Sequence, residues 1–333
     1  MAGMRRHDMN TVIRAFDEST LADAKQVVSD MFSPKDCSLL DKMLANPLRK
    51  EIGESSAGEV VYQDGRPVAF QGAVLRRLYL GREPMVGIVG STLCARRETS
   101  PILLMQLMKA TIKARGGSTL FYANTSNVVS MKMNRMLGVK GVGPDTCARI
   151  RFTVVYVPPG LKWTCRRPHA RRLPSIDAKM FNDFWTHYRE TNEGIVSSRS
   201  AEELAWVFGD QLASGKAVLL GEFSGDSLVG YIVLKSSHSG RRWLISDWIA
   251  IKNDVEILDS LLSSAVRFLR RMRGAVLLES IGFPDFMDSV LGRYLRFSRK
   301  TKNNSFLWKS LDARTRPLSD SWFFGPYDGD RSM

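Results

Sequence analysis

The chain has 333 residues, of which 44% are hydrophobic and 25% charged, and a formal net charge of +14 at pH 7. This composition is typical of a folded globular protein, and the length predicts two domains of about 100–200 residues each. No stretch approaches the roughly 18 uninterrupted apolar residues of a membrane helix, and the N-terminus lacks the apolar core of a secretory signal. We therefore expect a cytoplasmic protein.

The cysteines and histidines lie too far apart to suggest a metal centre. There are four of each, with no Cys-x-x-Cys pair, so the pattern predicts neither a zinc site nor a disulfide framework. The positive charge favours phosphorylated ligands, an anionic polymer, a membrane surface or nucleic acid. Nucleic acid ranks last among these partners, because only the charge suggests it.

The first half of the chain predicts alternating strands and helices. An amphipathic helix over Glu18–Phe32 comes first, and Asp64-Gly65 marks a tight turn between two strands. A strand over Met85–Leu93 then leads into a helix over Pro101–Arg115, which Gly116-Gly117 ends. The half closes with a strand, a short helix and a last strand, namely Ser118–Ala123, a helix ending at Leu137-Gly138-Val139, and Ile150–Val157.

The second half repeats this order. It contains a helix over Ile176–Thr191, a hairpin turn at Ser224-Gly225-Asp226, and a strand over Trp243–Ala250 leading to a helix over Ile257–Arg273. A strand over Ala275–Ser280, a short helix ending at Leu295-Arg296-Phe297 and a strand near Ser305–Lys309 complete it. The fold class is thus α/β with a mixed sheet. The predicted organisation is a first domain over 1–157, a basic proline-containing linker over 158–171, a second domain over 172–312 and a tail over 313–333.

The element order resembles the GNAT (N-acetyltransferase) family, and the segment Arg96–Pro101 supports the resemblance. In that family a loop of pattern Arg/Gln-x-x-Gly-x-Gly/Ala opens the long helix and holds the CoA diphosphate on its amides. Arg96 matches the first position, but Thr99 and Pro101 replace both glycines. The alternative is that this loop only caps the helix. The resemblance implies a cofactor-binding segment of Leu93, Cys94, Ala95, Arg96, Arg97, Glu98, Thr99 and Ser100.

A second family signature runs from Asn127 to Val139. The resemblance implies that Asn127 faces the cofactor, and that Asn134 stands where the family has a tyrosine that protonates the leaving thiolate. An amide donates hydrogen bonds but is no general acid at neutral pH. The alternative is that Asn127 caps a helix whose methionines, Met131, Met133 and Met136, belong to the core.

The second half departs further from the family. No glycine occurs in Ile251–Asp259, and Asp254 or Glu256 would repel a diphosphate. Asp285, Gly292 and Arg296-Phe297 replace the asparagine, the tyrosine and the Gly-Phe of the second signature. We therefore expect this half not to bind CoA.

As a whole, the chain resembles tandem GNAT-like proteins found with bacterial polysaccharide biosynthesis. The resemblance rests on Arg199–Trp206, Asp247-Trp248 and Asp328-Gly329-Asp330. It implies an N- or O-acyltransferase that uses acetyl-CoA or another acyl-CoA, with a small-molecule or saccharide acceptor and no metal. The alternative is a non-catalytic binding or scaffold protein. Glu59 and Glu98 are the candidate general bases.

Overall fold

The computed structural model describes residues 10–115, 118, 120–125, 128–141, 148–156, 169–237, 240–272, 274–281, 287–294, 296–311 and 327. None of the helices in these ranges combines the length and the apolar composition needed to cross a bilayer. The basic linker lies almost entirely outside them.

Strands from both halves form one continuous mixed sheet. Within the described residues its order is β1-β2-β3-β4-β5-β14-β7-β13-β12-β11-β10-β8, with β6 beside β14 and β9 beside β3. The strands are β1 Thr11–Ala15, β2 Gly58–Gln63, β3 Arg66–Leu80, β4 Glu83–Ala95, β5 Leu120–Thr125, β6 Lys140–Gly141, β7 Ala148–Tyr156, β8 Arg171–Leu173, β9 Ile195–Ser197, β10 Ala217–Ser224, β11 Ser227–Ser236, β12 Arg242–Ala250, β13 Leu277–Ile281 and β14 Arg296–Ser310.

The helices cover the faces of this sheet. They are α1 Leu21–Met31, α2 Ser38–Leu44, α3 Pro47–Glu51, α4 Pro101–Lys113, α5 Val128–Met136, α6 Ala178–Thr191, α7 Ala201–Ala213, α8 Val255–Arg271 and α9 Asp288–Leu291. Alternation along β3 divides the first-half core. Val74 and Leu78 belong to the cluster that α1 and α2 cover, while Ala73 and Leu75 belong to the cluster that includes residues of α4 and α5.

The last strand of each half pairs with the other half. β14 lies between β5 and β7, with Ser305 opposite Thr125, and β7 pairs with β13, with Phe152 opposite Ile281. Since backbone hydrogen bonds cross the junction in this way, the two halves share a sheet. The division into domains at 157 and 172 stays a prediction.

Local signals in the sequence account for several of these elements. Asp64 and Gly65 have φ of 50° and 77°, as a two-residue type I′ hairpin requires, and they join β2 to β3. The Asp254 carboxylate caps α8 by accepting hydrogen bonds from the amides of Glu256 and Ile257. Gly274, with φ of 92°, follows the end of α8.

The sequence analysis missed α2, α3 and α7. α2 has seven residues and α3 has five. Such short helices do not show a helical period in the sequence. α7 carries a readable signal, because Ser200 accepts a hydrogen bond from the amide of Glu203 in a Ser-x-x-Glu capping pattern. One boundary was wrong: Arg296 and Phe297 begin β14 and do not end a helix.

Candidate functional site

The strands β4 and β5 separate part-way along the sheet. They pair in parallel at Gly87–Leu120, Ile88–Phe121 and Val89–Tyr122. Beyond these positions β4 continues to Ala95 beside β3, and β5 continues beside β14. The facing edges therefore offer backbone donors and acceptors that the sheet does not use, as an extended polar ligand arm requires.

A β-bulge and a glycine shape the gap. The pairing of β3 with β4 shifts by one residue between Phe70 and Gly72, opposite Thr92, whose φ is 49°. Such a bulge bends the strand and increases its twist. At Gly90, a Cβ atom would lie 2.8 Å from the Phe121 ring, so only glycine allows β5 to pack this closely at the base of the gap.

The loop from Arg96 to Ser100 connects β4 to α4 and is held on its inner side. The Arg96 amide donates to the Val68 carbonyl at 2.9 Å, and the Thr99 hydroxyl donates to the same oxygen at 3.3 Å. Thr99 is buried, whereas Ser100 and Pro101 are exposed. The side chain that replaces the first motif glycine is thus turned toward the protein.

The outer side of this loop is polar and accessible. Arg97 and Glu98 are exposed, and among the described residues their amides and that of Ser100 meet no protein acceptor. The Ser100 hydroxyl accepts from the Ile102 amide, and Pro101 supplies no N–H. The Arg96 guanidinium pairs with Asp30 at 2.8 Å. Arg97 is therefore the cation of the loop that remains open to a ligand.

Asn134 is buried in α5, and its side-chain nitrogen is already engaged, whereas its Oδ1 has no hydrogen-bond partner among the described residues. Its Nδ2 donates to the Ser130 carbonyl at 2.9 Å and lies 3.4 Å from the Ser130 hydroxyl. Asn127, the other residue of this signature that the sequence singled out, lies outside the described residues. Met133 is buried in the core, Met131 half-buried and Met136 exposed.

The strands β12 and β13 of the second half also separate, beyond Leu244–Glu279. Here the Asp254 carboxylate occupies the first amides of α8, at 2.8 and 3.2 Å. A phosphate at this position would meet both a negative charge and donors already in use. The geometry disfavours a diphosphate at this helix and leaves the β4–β5 gap as the candidate site.

Comparison with known proteins identifies the fold. No protein-family model matches the sequence, and no curated protein sequence does either. A GCN5-related N-acetyltransferase from Anabaena variabilis ATCC 29413 matches with a TM-score of 0.63 at 8% identity, over 91% of this chain and 73% of that one. The corresponding enzyme from Kribbella flavida matches with 0.63 at 13% identity, over 92% and 72%. The chain has a GNAT-like fold.

A third solved structure extends the likeness to another acyltransferase. Saccharomyces cerevisiae N-myristoyltransferase, solved with bound myristoyl-CoA, matches with a TM-score of 0.56 at 11% identity, over 90% of this chain and 79% of that one. At such identities the likeness establishes the GNAT-like fold, and it covers both halves.

Glu59, a candidate general base, is buried in an ion pair with Arg115. It is 4% exposed, and its carboxylate accepts a hydrogen bond from Arg115 at 2.9 Å. Arg115 also donates to the Thr111 carbonyl and the Ser56 hydroxyl. This buried ion pair fixes the end of α4 to β2, whereas Glu98 is exposed on the loop.

Cys94 lies next to the gap, but its thiol is a poor nucleophile, because burial raises the pKa of this thiol to about 12. At pH 8 only about one thiol in ten thousand is then ionised, and the thiolate is the reactive form. We expect iodoacetamide to leave Cys94 unmodified in the native protein and to label it in urea, as measured by peptide mass spectrometry. Labelling at equal rates in both conditions would contradict this assignment.

Arg199 and Asp247, two of the residues that carry the resemblance to tandem GNAT-like proteins, are in contact in the structure. The Arg199 guanidinium and the Asp247 carboxylate form a fully buried pair, with Nε–Oδ2 at 3.0 Å and Nη2–Oδ1 at 3.1 Å. The Tyr231 hydroxyl donates to Asp247 at 2.6 Å, and the Arg199 guanidinium lies 4.6 Å from the centre of the Tyr327 ring. Asp328-Gly329-Asp330, directly after Tyr327, lie outside the described residues.

Sequence reasoning missed Arg76, which joins this cluster from β3. Its guanidinium lies 4.9 Å from the ring centres of both Trp206 and Tyr327, and it donates to the Tyr327 carbonyl at 3.1 Å. The two adjacent arginines, Arg76 and Arg77, between the apolar residues Ala73–Leu75 and Leu78–Leu80 were the available signal. Among the described residues, no three His, Cys, Asp or Glu side chains come together as metal ligands.

Proposed function

We propose that this chain is an acyl-CoA-dependent acyltransferase whose acyl donor lies in the gap between β4 and β5. The observation that carries the proposal is the separation of β4 from β5 next to the accessible loop at the start of α4. The likeness to N-acetyltransferases and an N-myristoyltransferase supports it at the level of the fold.

The proposed roles of the residues follow from the geometry. The loop amides of Arg97, Glu98 and Ser100, with the Arg97 guanidinium, would hold the CoA diphosphate. Backbone groups of β4 beyond Val89 would bind the pantetheine arm. Acyl-CoA would supply the thioester. The acceptor nitrogen or oxygen would form a bond to the thioester carbonyl carbon, and the C–S bond would break. The proton lost by the acceptor would neutralise the CoA thiolate that leaves.

The acceptor in this proposal is a sugar or polysaccharide precursor. This rests on the resemblance carried by Arg199–Trp206 and Asp247 to tandem GNAT-like proteins. The net charge of +14 suits an anionic acceptor, polymer or membrane surface. We further propose acetyl-CoA as the donor and the cytoplasm as the place of action.

A second candidate function is non-catalytic binding within a biosynthetic assembly. It is favoured by Pro101, which removes a donor from the loop, and by Asn134, whose Nδ2 is engaged with Ser130. Calorimetric titration with acetyl-CoA and myristoyl-CoA, followed by a free-thiol assay with amino-sugar acceptors, distinguishes the two. Binding with acceptor-dependent CoA release supports the enzyme. Binding without release supports the second candidate, and no binding contradicts the proposed site.

Two adjacent charged residues of the loop, Arg97 and Glu98, are expected to have opposite effects on acetyl-CoA affinity. We expect Arg97→Gln to weaken acetyl-CoA binding at least about tenfold, because a charge-assisted hydrogen bond contributes about 1.5–3 kcal/mol. Glu98→Gln is expected to strengthen binding about twofold, because it removes a repulsive charge from the same loop. Both residues are exposed, so neither change should unfold the protein.

Lys113→Gln is the matched control, measured by the same calorimetry. Lys113 is exposed at the opposite end of α4 and loses the same charge, so it should leave the affinity unchanged. Equal weakening by Arg97→Gln and Lys113→Gln would indicate a general charge effect and contradict a diphosphate on this loop.

A further inference from the structure

A cavity distinct from the β4–β5 gap is lined by residues of both halves of the chain. It has a volume of about 1130 Å³, opens to solvent, and is lined by residues of α2 and α7 and by residues at or next to the ends of β10 and β11. Lys42, Trp206, Asp210, Lys216 and Lys235 are among its lining residues. This volume suits a ligand of nucleotide or disaccharide size. None of the cavity's lining residues belongs to β4, β5 or the loop from Arg96 to Ser100.

Hydrogen bonds between the halves hold the cavity wall in place. The Lys42 ammonium donates to the Val207 carbonyl at 2.5 Å, and the Trp206 indole donates to the Lys42 carbonyl at 3.0 Å. An ammonium group has three donors, and Lys42 meets no other acceptor among the described residues. Two of its N–H groups are therefore left for a ligand, on a wall that needs little rearrangement to bind one.

The cavity carries an excess of positive charge. Three lysines line it, Lys42, Lys216 and Lys235, against two carboxylates, Asp210 and Asp41, and Asp41 is paired with Lys25 at 2.7 Å. Burial and, secondarily, Lys235 lower the pKa of Lys42 to about 8, with Asp210 opposing and Arg76 adding to the effect. Burial also lowers the pKa of Lys235. An anion would relieve this crowding of like charges.

A buried arginine lies behind the cavity wall. The Arg76 guanidinium packs 4.9 Å from the Trp206 ring centre and is fully buried. Its Nε and Nη1 meet no acceptor among the described residues. Its Nη2 donates to the Tyr327 carbonyl, so the guanidinium is only partly satisfied, and a negative charge on the far side of Trp206 would be favourable.

We propose that this cavity binds a small molecule carrying a multivalent oxyanion, phosphate or carboxylate, with its uncharged part against Trp206. The half-buried Lys42 and Lys235 bind the oxyanion, and the exposed Lys216 lies at the solvent side. The site is separate from the proposed acyl-donor gap and does not depend on it.

Titration calorimetry of the full chain with pyrophosphate and with citrate tests the proposal. We expect saturable binding of at least one of them, and the stronger of the two identifies phosphate or carboxylate as the preferred group. Lys235→Gln should weaken this binding about tenfold, and Lys235→Arg should largely retain it. Lys179→Gln, an exposed lysine of α6 with the same charge loss, should have no effect.

A pH series with sulfate, which keeps its charge between pH 7.5 and 9.5, provides a second readout. Lys42 is cationic below about pH 8, so sulfate affinity should fall as pH rises through this value. The charges facing Lys42 are Lys235 on β11, Asp210 on α7 and Arg76 on β3. Lys42→Gln should remove most of this dependence.

Acetyl-CoA separates this site from the proposed donor site. Lys235→Gln should leave acetyl-CoA affinity unchanged, and Arg97→Gln should leave pyrophosphate or citrate affinity unchanged. No binding of either probe, equal loss in Lys179→Gln, or loss of probe binding in Arg97→Gln would each overturn the proposal. If the anion probes bind and acetyl-CoA does not, the proposed acyl-donor site is contradicted and the proposed anion site is retained.

Discussion

Asp247→Ala is expected to lower the free energy of unfolding by about 3–5 kcal/mol, because it leaves the Arg199 guanidinium buried without its counter-charge. Both side chains are 0% exposed, so water cannot replace the carboxylate. The Tyr231 hydroxyl loses its acceptor in the same step. Urea unfolding followed by tryptophan fluorescence measures the change.

Two variants separate the charge from the packing in this prediction. Arg199→Met combined with Asp247→Leu should be more stable than Asp247→Ala alone, since replacing both partners of a buried pair with apolar groups is often nearly neutral. Asp183→Ala, on the exposed face of α6, should change stability by less than about 0.5 kcal/mol. A cost below about 1 kcal/mol for Asp247→Ala would show that the pair contributes little.

Glu203 is expected to make the protein less stable as pH rises from about 4.5 to 7. Burial raises the pKa of this carboxyl from an ordinary 4.5 to about 7, opposed in part by Arg76 and Arg77. In that pH range the folded chain keeps the proton and the unfolded chain has lost it, so folding takes up a proton and a higher pH disfavours it. At about 1.4 kcal/mol per pKa unit, the loss amounts to about 3 kcal/mol.

Glu203→Gln tests this prediction, because an amide stays neutral at every pH. The difference in unfolding free energy between the variant and the wild type should shift by about 3 kcal/mol in favour of the variant between pH 4.5 and 7. The neighbouring Glu202 is exposed on the same helix, and Glu202→Gln should show no such shift. Parallel pH profiles for wild type and Glu203→Gln would rule out a protonated Glu203.

These two predictions concern one place in the molecule, where the halves meet. Arg76 comes from β3, Glu203 from α7, Asp247 from β12 and Tyr327 from the C-terminal segment. The Tyr327 hydroxyl donates to the Ser198 carbonyl at 2.7 Å, and its own carbonyl accepts from Arg76. The buried cluster therefore ties the end of the chain to both halves beside the cavity lined by Lys42.

The sequence alone determined the features that depend on neighbouring residues. The Asp64-Gly65 turn, the Ser100 cap and the glycine after α8 are local signals, and each appears in the structure. The order of strands and helices followed from these signals and indicated the GNAT-like fold. The Ser200–Glu203 cap of α7 was equally local and was overlooked.

The tertiary structure alone decided which distant residues meet. Lys42 and Val207 are 165 positions apart, Arg76 and Tyr327 251 positions, and the place of β14 between β5 and β7 depends on contacts across most of the chain. Neither periodicity nor capping carries such information, because both act within a few residues, whereas burial of charge depends on the packed neighbours. For this reason the sequence left Glu59 as a candidate base, and only packing revealed its ion pair with Arg115.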